Sequence, residues 1–407
     1  MSKDREHKKI LYLMEYPIDL AGGGQMSTQT LCEGISAYSS HDTSVYGFES
    51  TEDNYVFDPV VVCPTLLSKT ADDYPFTIIT YESDENRELS KLSRIKNFFG
   101  RIASFYSIIR REKPDLIHIS MSESVISYGF LRCLGFFKNI PFVYTDRGLC
   151  YGYRRHSKFC ILQTMKRAAY MLTTTQYNKG LWDKENVACP IRVIPNTISS
   201  AFDKYDDTMR KQMRDRFGIK DGELVIGFAG RISEEKDWPS VGGIVKALAD
   251  SHVSFKVALV LSVYEDRDVA IVEDIKASIT EHIGSDNLIY MQDLSQAEIS
   301  DYYYMVDIFV MTSNFESFGK AAVEAMSRKC AVLSTAVGGL PEVLGKDENL
   351  YDKKDLQVFT NRVKELLDAG CMQEEREYFY NRYKGLFTKE ANVYRHIELY
   401  KEILGIQ

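Results

Sequence analysis

Apolar runs and amphipathic stretches alternate along almost the whole chain. Residues 8–15 (KKILYLME) hold the short continuous apolar run of a buried strand. A glycine run follows, and residues 26–38 then carry a helical pattern. Strand-like runs return at 114–120, 141–146, 170–175 and 191–196, separated by helical stretches such as 93–111 and 157–169. This alternation predicts βαβ units and a parallel sheet. The rhythm restarts after about residue 220. Strands are expected there at 223–231, 255–261, 287–292, 307–313 and 331–336, with helices at 238–250, 265–282, 296–304 and 318–328. Residues 195–217 read as a connector with an early helix. The pattern predicts two doubly wound α/β domains, 1–198 and 199–387. In the remaining tail, 388–407, Thr388 can cap a helix with Val393, Ile397, Tyr400 and Leu404 on one stripe. Such a stripe should dock on a surface rather than hang free.

Candidate chemistry gathers in the turns after these strands. Ser313-Asn314-Phe315-Glu316-Ser317-Phe318-Gly319-Lys320 follows one strand and opens a helix that contains Glu324. Read as helical, the stretch from Glu316 to Glu324 rises about 12 Å, near the span of a diphosphate linkage. The helix start over Ser317, Phe318 and Gly319 offers unpaired N–H groups and the positive dipole end, a seat for phosphate. Residues 227–231 (GFAGR) end another strand on the fixed cation Arg231, and Lys236 follows. A guanidinium fork and an ammonium together can neutralise a departing diphosphate. Gly22-Gly23-Gly24 after the first strand lets main-chain N–H groups wrap an anion. It is not the G-x-G-x-x-G of dinucleotide sites. Val337-Gly338-Gly339-Leu340-Pro341-Glu342 is a glycine turn with proline at a helix start. Taken singly, each segment also reads as an ordinary capped helix or surface turn.

Composition narrows the class. The chain has 407 residues, 44% hydrophobic and 27% charged, which suffices for sizeable cores without disulfides or metals. The eight cysteines are scattered with no C-x-x-C pair and read as reduced thiols of a cytoplasmic protein. The start, MSKDREHKKI, lacks the apolar stretch of a secretory signal, and no apolar run is long enough to span a membrane. The net charge of -8 hides a basic middle: residues 87–184 carry 18 Lys+Arg against 6 Asp+Glu. In 93–111, Ile95, Phe98, Phe99, Ile102, Tyr106 and Ile109 form one helical face with Arg94, Lys96, Arg101, Arg110 and Arg111 around it. Arg154, Arg155 and Lys158 add a second cluster. One reading is contact with an anionic membrane surface or a lipid diphosphate, the other a helix packed on its own sheet with a solvated rim. No nucleic-acid recognition motif accompanies the charge, so nucleic acid is not expected as a partner.

In chain order, the glycine run, GFAGR-x4-K, S-x-x-E-S-FGK-x3-EAM and GGLPE resemble the retaining glycosyltransferases of family 4, which have the GT-B fold. The resemblance covers most of the chain and is most specific over 223–345. It implies two Rossmann-like domains facing across a cleft, acceptor on the first, nucleotide-sugar donor on the second, and the tail helix crossing back to the first. By the same resemblance, Arg231 and Lys236 hold the donor diphosphate and Glu316 binds hydroxyls of the transferred sugar. The backbone of Phe318, Gly319 and Lys320 contacts sugar and phosphate, Glu324 binds the ribose, and Gly23 and Gly24 approach the distal phosphate. On the acceptor side the family often carries a strand-end H-x-H. Here the second histidine is Ser120, after His118, and Asp146-Arg147 ends the next strand and shares that task. The implied activity is retaining, metal-independent transfer from a nucleotide-sugar, with UDP favoured, to a glycan or lipid-linked acceptor in surface polysaccharide or glycoconjugate synthesis; the expected place is the cytoplasm, with the basic segment 93–111 as the route to the inner face of a membrane. No cofactor is expected, and Asp266-Arg267-Asp268 reads as helix-start charge rather than a metal motif. Two other readings share the fold: a catalytically silent binding partner and a non-hydrolysing sugar-nucleotide epimerase.

Overall fold

The computed structural model describes residues 5–20, 22–40, 54–83, 91–263, 266–368 and 370–407. The chain divides into two compact units, one of Met1–Thr197 with Lys389–Gln407, the other of Ile198–Thr388.

The first unit opens with β1 (Glu6–Leu13), α1 (Gly23–Ser40), β2 (Tyr55–Pro64) and β3 (Thr77–Tyr81). It continues with α2 (Lys91–Glu112), β4 (Leu116–Ile119), α3 (Ser122–Cys133), β5 (Phe142–Asp146) and α4 (Arg155–Met165). β6 (Tyr170–Thr173), α5 (Gln176–Lys184) and β7 (Ile191–Val193) complete it. The strands form one parallel sheet in the order β3-β2-β1-β4-β5-β6-β7. β4 and β5 are buried throughout because helices cover both faces, as a parallel sheet requires. One face packs Phe105, Tyr128, Ile161 and Trp182; the other packs Leu31, Ile35 and, from the tail, Val393, Ile397 and Tyr400.

The second unit begins with α6 (Met209–Arg216), β8 (Leu224–Arg231), α7 (Pro239–Asp250), β9 (Phe255–Ser262) and α8 (Asp266–Ile283). β10 (Leu288–Gln292), α9 (Gln296–Met305), β11 (Ile308–Met311), α10 (Lys320–Ser327) and β12 (Ala331–Thr335) follow. α11 (Leu340–Leu344), β13 (Leu350–Tyr351), α12 (Leu356–Leu367) and α13 (Cys371–Leu386) close it. Its parallel sheet runs β10-β9-β8-β11-β12-β13. Both sheets therefore reverse winding beside their first strand, at β1/β4 and at β8/β11. In such sheets ligands bind where the carboxyl ends diverge at that switch point. Local signals match the elements: Ser295 and Glu298 form a capping box on α9, and Pro239 opens α7.

The hydrophobic pattern finds most of these elements and misses several. β2 escapes because Asp58-Pro59 interrupts its apolar run, although Pro59 sits inside the sheet opposite Ile10. β3 is a short edge strand with mixed exposure. α2 corrects the expected single apolar face. Ile102 and Ile109 turn inward with Phe105 and Ile108, whereas Ile95 and Phe99 point to solvent.

α14 (Lys389–Leu404) returns to the first unit. Asn392 donates to the Pro195 carbonyl at 2.7 Å, and Glu402 takes bonds from Tyr170 (2.5 Å) and Arg192 (2.8 Å). Gly34 lets α14 lie against α1, since a Cβ there would sit 2.5 Å from Val393 Cγ2. Gly34→Ala should lower stability by about 1–3 kcal/mol through overpacking. Adding Val393→Ala should recover part of that loss, seen as a non-additive double-mutant cycle in denaturant melts. Purely additive losses would mean that the two helices do not depend on this contact.

Candidate active site

In the second unit the candidate residues converge at the β8/β11 switch point. β8 ends on Arg231, whose guanidinium is exposed and reaches Glu235 at 3.1 Å. The following loop is fixed from below: Trp238 Nε1 donates to the Arg231 carbonyl (2.9 Å) and Thr312 Oγ1 to the Lys236 carbonyl (2.5 Å). The turn after β11 is tied to the same loop. Asn314 donates its backbone N–H to the Glu235 carbonyl at 2.8 Å, and Lys353 bridges Asn314 Oδ1 (2.5 Å) and Asp237. These ties bring Lys236 Nζ to 2.7 Å from Glu316 Oε2, both side chains being about four-fifths buried.

Glu316 is held by its backbone. Its carbonyl accepts from Gly339 N–H at 3.0 Å, and Gly338, at φ +58°, lies so close that a Cβ would stand 1.8 Å from that oxygen. The GGLPE turn is thus the brace of the acidic residue. Gly319, with φ +96°, caps α10, and helix begins only at Lys320. This corrects the sequence expectation: Ser317, Phe318 and Gly319 precede the helix, and Glu316 is not helical, so the rise argument does not apply. Phe318 is buried against Phe387. Glu324 lies one turn into α10, accepts from Tyr303 OH at 3.2 Å, and has its acidity weakened by burial, against the pull of Lys320.

In the first unit the β1/β4 switch point holds Gly23 and Gly24 at the start of α1. A Cβ on Gly24 would touch Met121 at the start of α3. His118 is a correction. It is fully buried, with Nδ1 bonded to Tyr400 OH and Nε2 to Thr145 Oγ1, both at 2.6 Å, so it has no nitrogen left for a substrate. Burial pushes its proton affinity well down. Asp146 is a second correction. It takes hydrogen bonds from Tyr153 OH (2.5 Å), Trp182 Nε1 (2.6 Å), Tyr144 OH (3.4 Å) and Gly148 N–H (3.3 Å), and acts as a structural hub. Ser120 Oγ is buried without a hydrogen-bond partner among the described residues. Arg147 lies close to these groups, and its Nε and Nη1 have no hydrogen-bond partner among the described residues.

The structure adds Glu15, which the sequence reading passed over as the polar end of a strand. It follows β1, is 8% exposed, and accepts from Ser124 N–H at 2.5 Å. Burial raises its pKa from 4.5 to about 6, opposed by Arg101 and reinforced by Glu123. Among the described residues, no group of three His, Cys, Asp or Glu gathers as a metal site would need. No described helix is long and apolar enough to cross a membrane.

Two family profiles match: Glycosyltransferase Family 4 over residues 21–202 and Glycosyl transferases group 1 over residues 209–385. A 2-deoxystreptamine glucosyltransferase of Streptomyces kanamyceticus is 30% identical over 45% of this chain, and the match spans 46% of that relative. The GPI3 subunit of phosphatidylinositol N-acetylglucosaminyltransferase of Saccharomyces cerevisiae is 25% identical over 75% of this chain and 68% of its own. Among solved structures, sucrose-phosphate synthase from Thermosynechococcus elongatus superposes with a TM-score of 0.77 at 16% identity, covering 98% of this chain and 99% of that one. Anabaena Alr3699/HepE in complex with UDP and glucose superposes with a TM-score of 0.71 at 16% identity, covering 97% and 99%.

Glu15 makes the first unit's stability depend on pH. Its folded pKa lies above the value for an exposed carboxyl, so its contribution is complete below pH 4.5 and is lost as pH rises through about 6. Near neutral pH, Glu15→Gln should therefore be more stable than the parent by roughly 2 kcal/mol, and the gap should close in acid. Melts at both pH values check this; a gap independent of pH would show that burial does not govern Glu15.

Proposed function

The chain belongs to the glycosyltransferases of group 1 and family 4, with the GT-B fold, and from that premise we propose a retaining, metal-independent transferase. It takes a sugar from a nucleoside-diphosphate donor, with UDP as the carrier, to a glycan or lipid-linked acceptor in surface polysaccharide or glycoconjugate synthesis. The observation that carries this reading is the Lys236–Glu316 pair at the second sheet's switch point. A cation suited to phosphate and an acid suited to sugar hydroxyls sit in contact, each neutralising the other until a donor separates their tasks. The choice of UDP is supported by Anabaena Alr3699/HepE, solved with UDP, UDP-glucose, and UDP and glucose.

In this reading Arg231 and Lys236 receive the diphosphate, and the main chain at Phe318, Gly319 and Lys320 lies along sugar and phosphate. Glu324 takes the ribose hydroxyls, and Gly23 and Gly24 offer N–H groups to the distal phosphate. The acceptor hydroxyl bonds to the anomeric carbon on the face that the diphosphate leaves. The bonding electrons depart with the diphosphate, and one of its oxygens takes the hydroxyl proton. The protein contributes position and charge stabilisation.

Lys236→Ala and Glu316→Ala should each lower turnover by at least about a hundredfold while the fold still melts cooperatively. A thermal-shift series with UDP, GDP and ADP tests the carrier, since a bound nucleotide raises the melt by mass action. Near-normal turnover in both variants would remove the site assignment, and no shift with any nucleotide would favour a silent binding partner.

We further propose that the outer face of α2 and α3 rests on an anionic bilayer. Ile95 and Phe99 of α2, Phe130 of α3, and Leu134 and Phe136 just beyond are large, apolar and exposed. Phe99 and Phe130 stand edge to face at 6.2 Å. Arg94 and Lys96 flank Ile95 and are exposed, as are Arg110, Arg111 and Lys138. Exposed rings within a basic field fit acyl chains beneath acidic headgroups. The protein should co-sediment with phosphatidylcholine vesicles containing phosphatidylglycerol and not with phosphatidylcholine alone. Added salt or Phe99→Asp with Phe130→Asp should release it; equal binding to both vesicles would sink the proposal.

A further inference from the structure

Arg147 directly follows β5, next to the first unit's switch point. Its Nε and Nη1 are sealed from water, and neither has a hydrogen-bond partner among the described residues, while the side chain as a whole is only partly buried. The molecule treats its buried arginines differently. Arg328 bonds to the carbonyls of Ala201 and Phe202 and to Ser300, and Arg214 to Asp307 and three carbonyls. Arg101 reaches Glu123 and Ser127, and Arg132 the carbonyls of Phe137 and Ile140. Each of these structural arginines is bonded to its surroundings, although Arg132 Nε is also sealed without a partner among the described residues.

The field of Asp146 favours the Arg147 cation, yet no hydrogen bond joins the two. The adjacent carboxylate, Asp146, already serves two phenols, an indole and a backbone N–H. Tyr12, Tyr144 and Tyr400 face the guanidinium as phenols that burial keeps protonated. His118 and His396 also feel its charge, and burial keeps both imidazoles neutral, His396 with a pKa near 4. Burial lowers the guanidinium itself only to about 10, so it stays charged at neutral pH. Sealed guanidinium N–H groups without a partner are expensive, and such groups persist where a ligand completes them. The planar fork matches a carboxylate or a phosphate.

We propose that Arg147 is the receptor for an oxyanion, carboxylate or phosphate, carried by a substrate of this transferase. The protein thus selects a charged substrate: a sugar acid on the donor, or an acceptor bearing a phosphate or carboxylate. The assignment of the oxyanion to a transferase substrate rests on the glycosyltransferase reading; the anion site itself does not.

The test uses the full chain, Arg147→Met and Arg147→Lys, with calorimetric titration and thermal melts. Free of ligand, Arg147→Met should melt above the parent, because two sealed and unpartnered N–H groups are gone, whereas loss of a structural brace would lower the melt. If the oxyanion belongs to the donor, UDP-glucuronate should bind the parent at least about tenfold more tightly than UDP-glucose. That preference should vanish in Arg147→Met and largely survive in Arg147→Lys. If it belongs to the acceptor, the two donors should bind alike, and inorganic phosphate should raise the melt of the UDP-loaded parent but not of Arg147→Met. A parent that shows neither preference nor phosphate response overturns the proposal, as does an Arg147→Met variant that keeps whichever response the parent shows. Failure of UDP to bind any of the three proteins would instead remove the transferase reading, and the phosphate response without UDP would still decide for or against the anion site.

Discussion

A parallel sheet covered on both faces leaves its strands no room for polar chemistry. β4, β5, β11 and β12 are buried along their whole length. Polar groups can collect only where the strands end, and the chain can spread there only where the winding reverses. Both units obey this constraint. Glu15, the glycine run, Ser120 and Arg147 cluster around the ends of β1, β4 and β5, and Arg231, Lys236 and Glu316 around β8 and β11.

The two clusters solve the problem of isolated charge in opposite ways. In the second unit the opposite charges meet, Lys236 on Glu316 and Arg231 on Glu235, so these four side chains sum to zero charge. A diphosphate entering it would trade one partner for another, and the desolvation penalty is shared. In the first unit Arg147 meets phenols, neutral imidazoles and an Asp146 whose bonds go elsewhere, and its Nε and Nη1 have no partner among the described residues. A pair of this kind permits many ligands, whereas a cation with unmet N–H groups discriminates, since a neutral substrate would leave it unpaired.

Much of this was legible in the sequence wherever one segment carries its own reason. The second unit's first five strands, α7 to α10 and the tail stripe follow from periodicity, and the E-S-F-G turn from glycine and helix-start logic. What was not legible depends on contacts across the sheet. His118 looks like a strand-end catalyst until Tyr400, nearly three hundred residues on, takes its Nδ1. Asp146 looks available until Trp182 and Tyr153 close on it. Glu15 resembles any polar residue after a strand, and only the approach of Ser124 from α3 makes it a buried acid. The inward turn of Ile102 and Ile109 against the outward Ile95 and Phe99 is likewise fixed by where α3 packs, not by the period of α2.

The tail helix shows how such contacts redistribute roles. Tyr400 bonds to both His118 and Tyr12, the latter at 2.9 Å, and with Thr145 it completes a sealed polar chain running from α14 through β4 to β5. Each hydroxyl and imidazole in that chain has a partner, so it rigidifies the end of β5 without seeking a ligand. Arg147 lies against the same groups, yet none of them bonds to it. The chain's end thus consumes the histidine that the strand pattern suggests for catalysis, and leaves beside it a guanidinium whose bonding is unmet. The rigid wall fixes where an incoming oxyanion must sit, and the unmet cation supplies the reason for it to come.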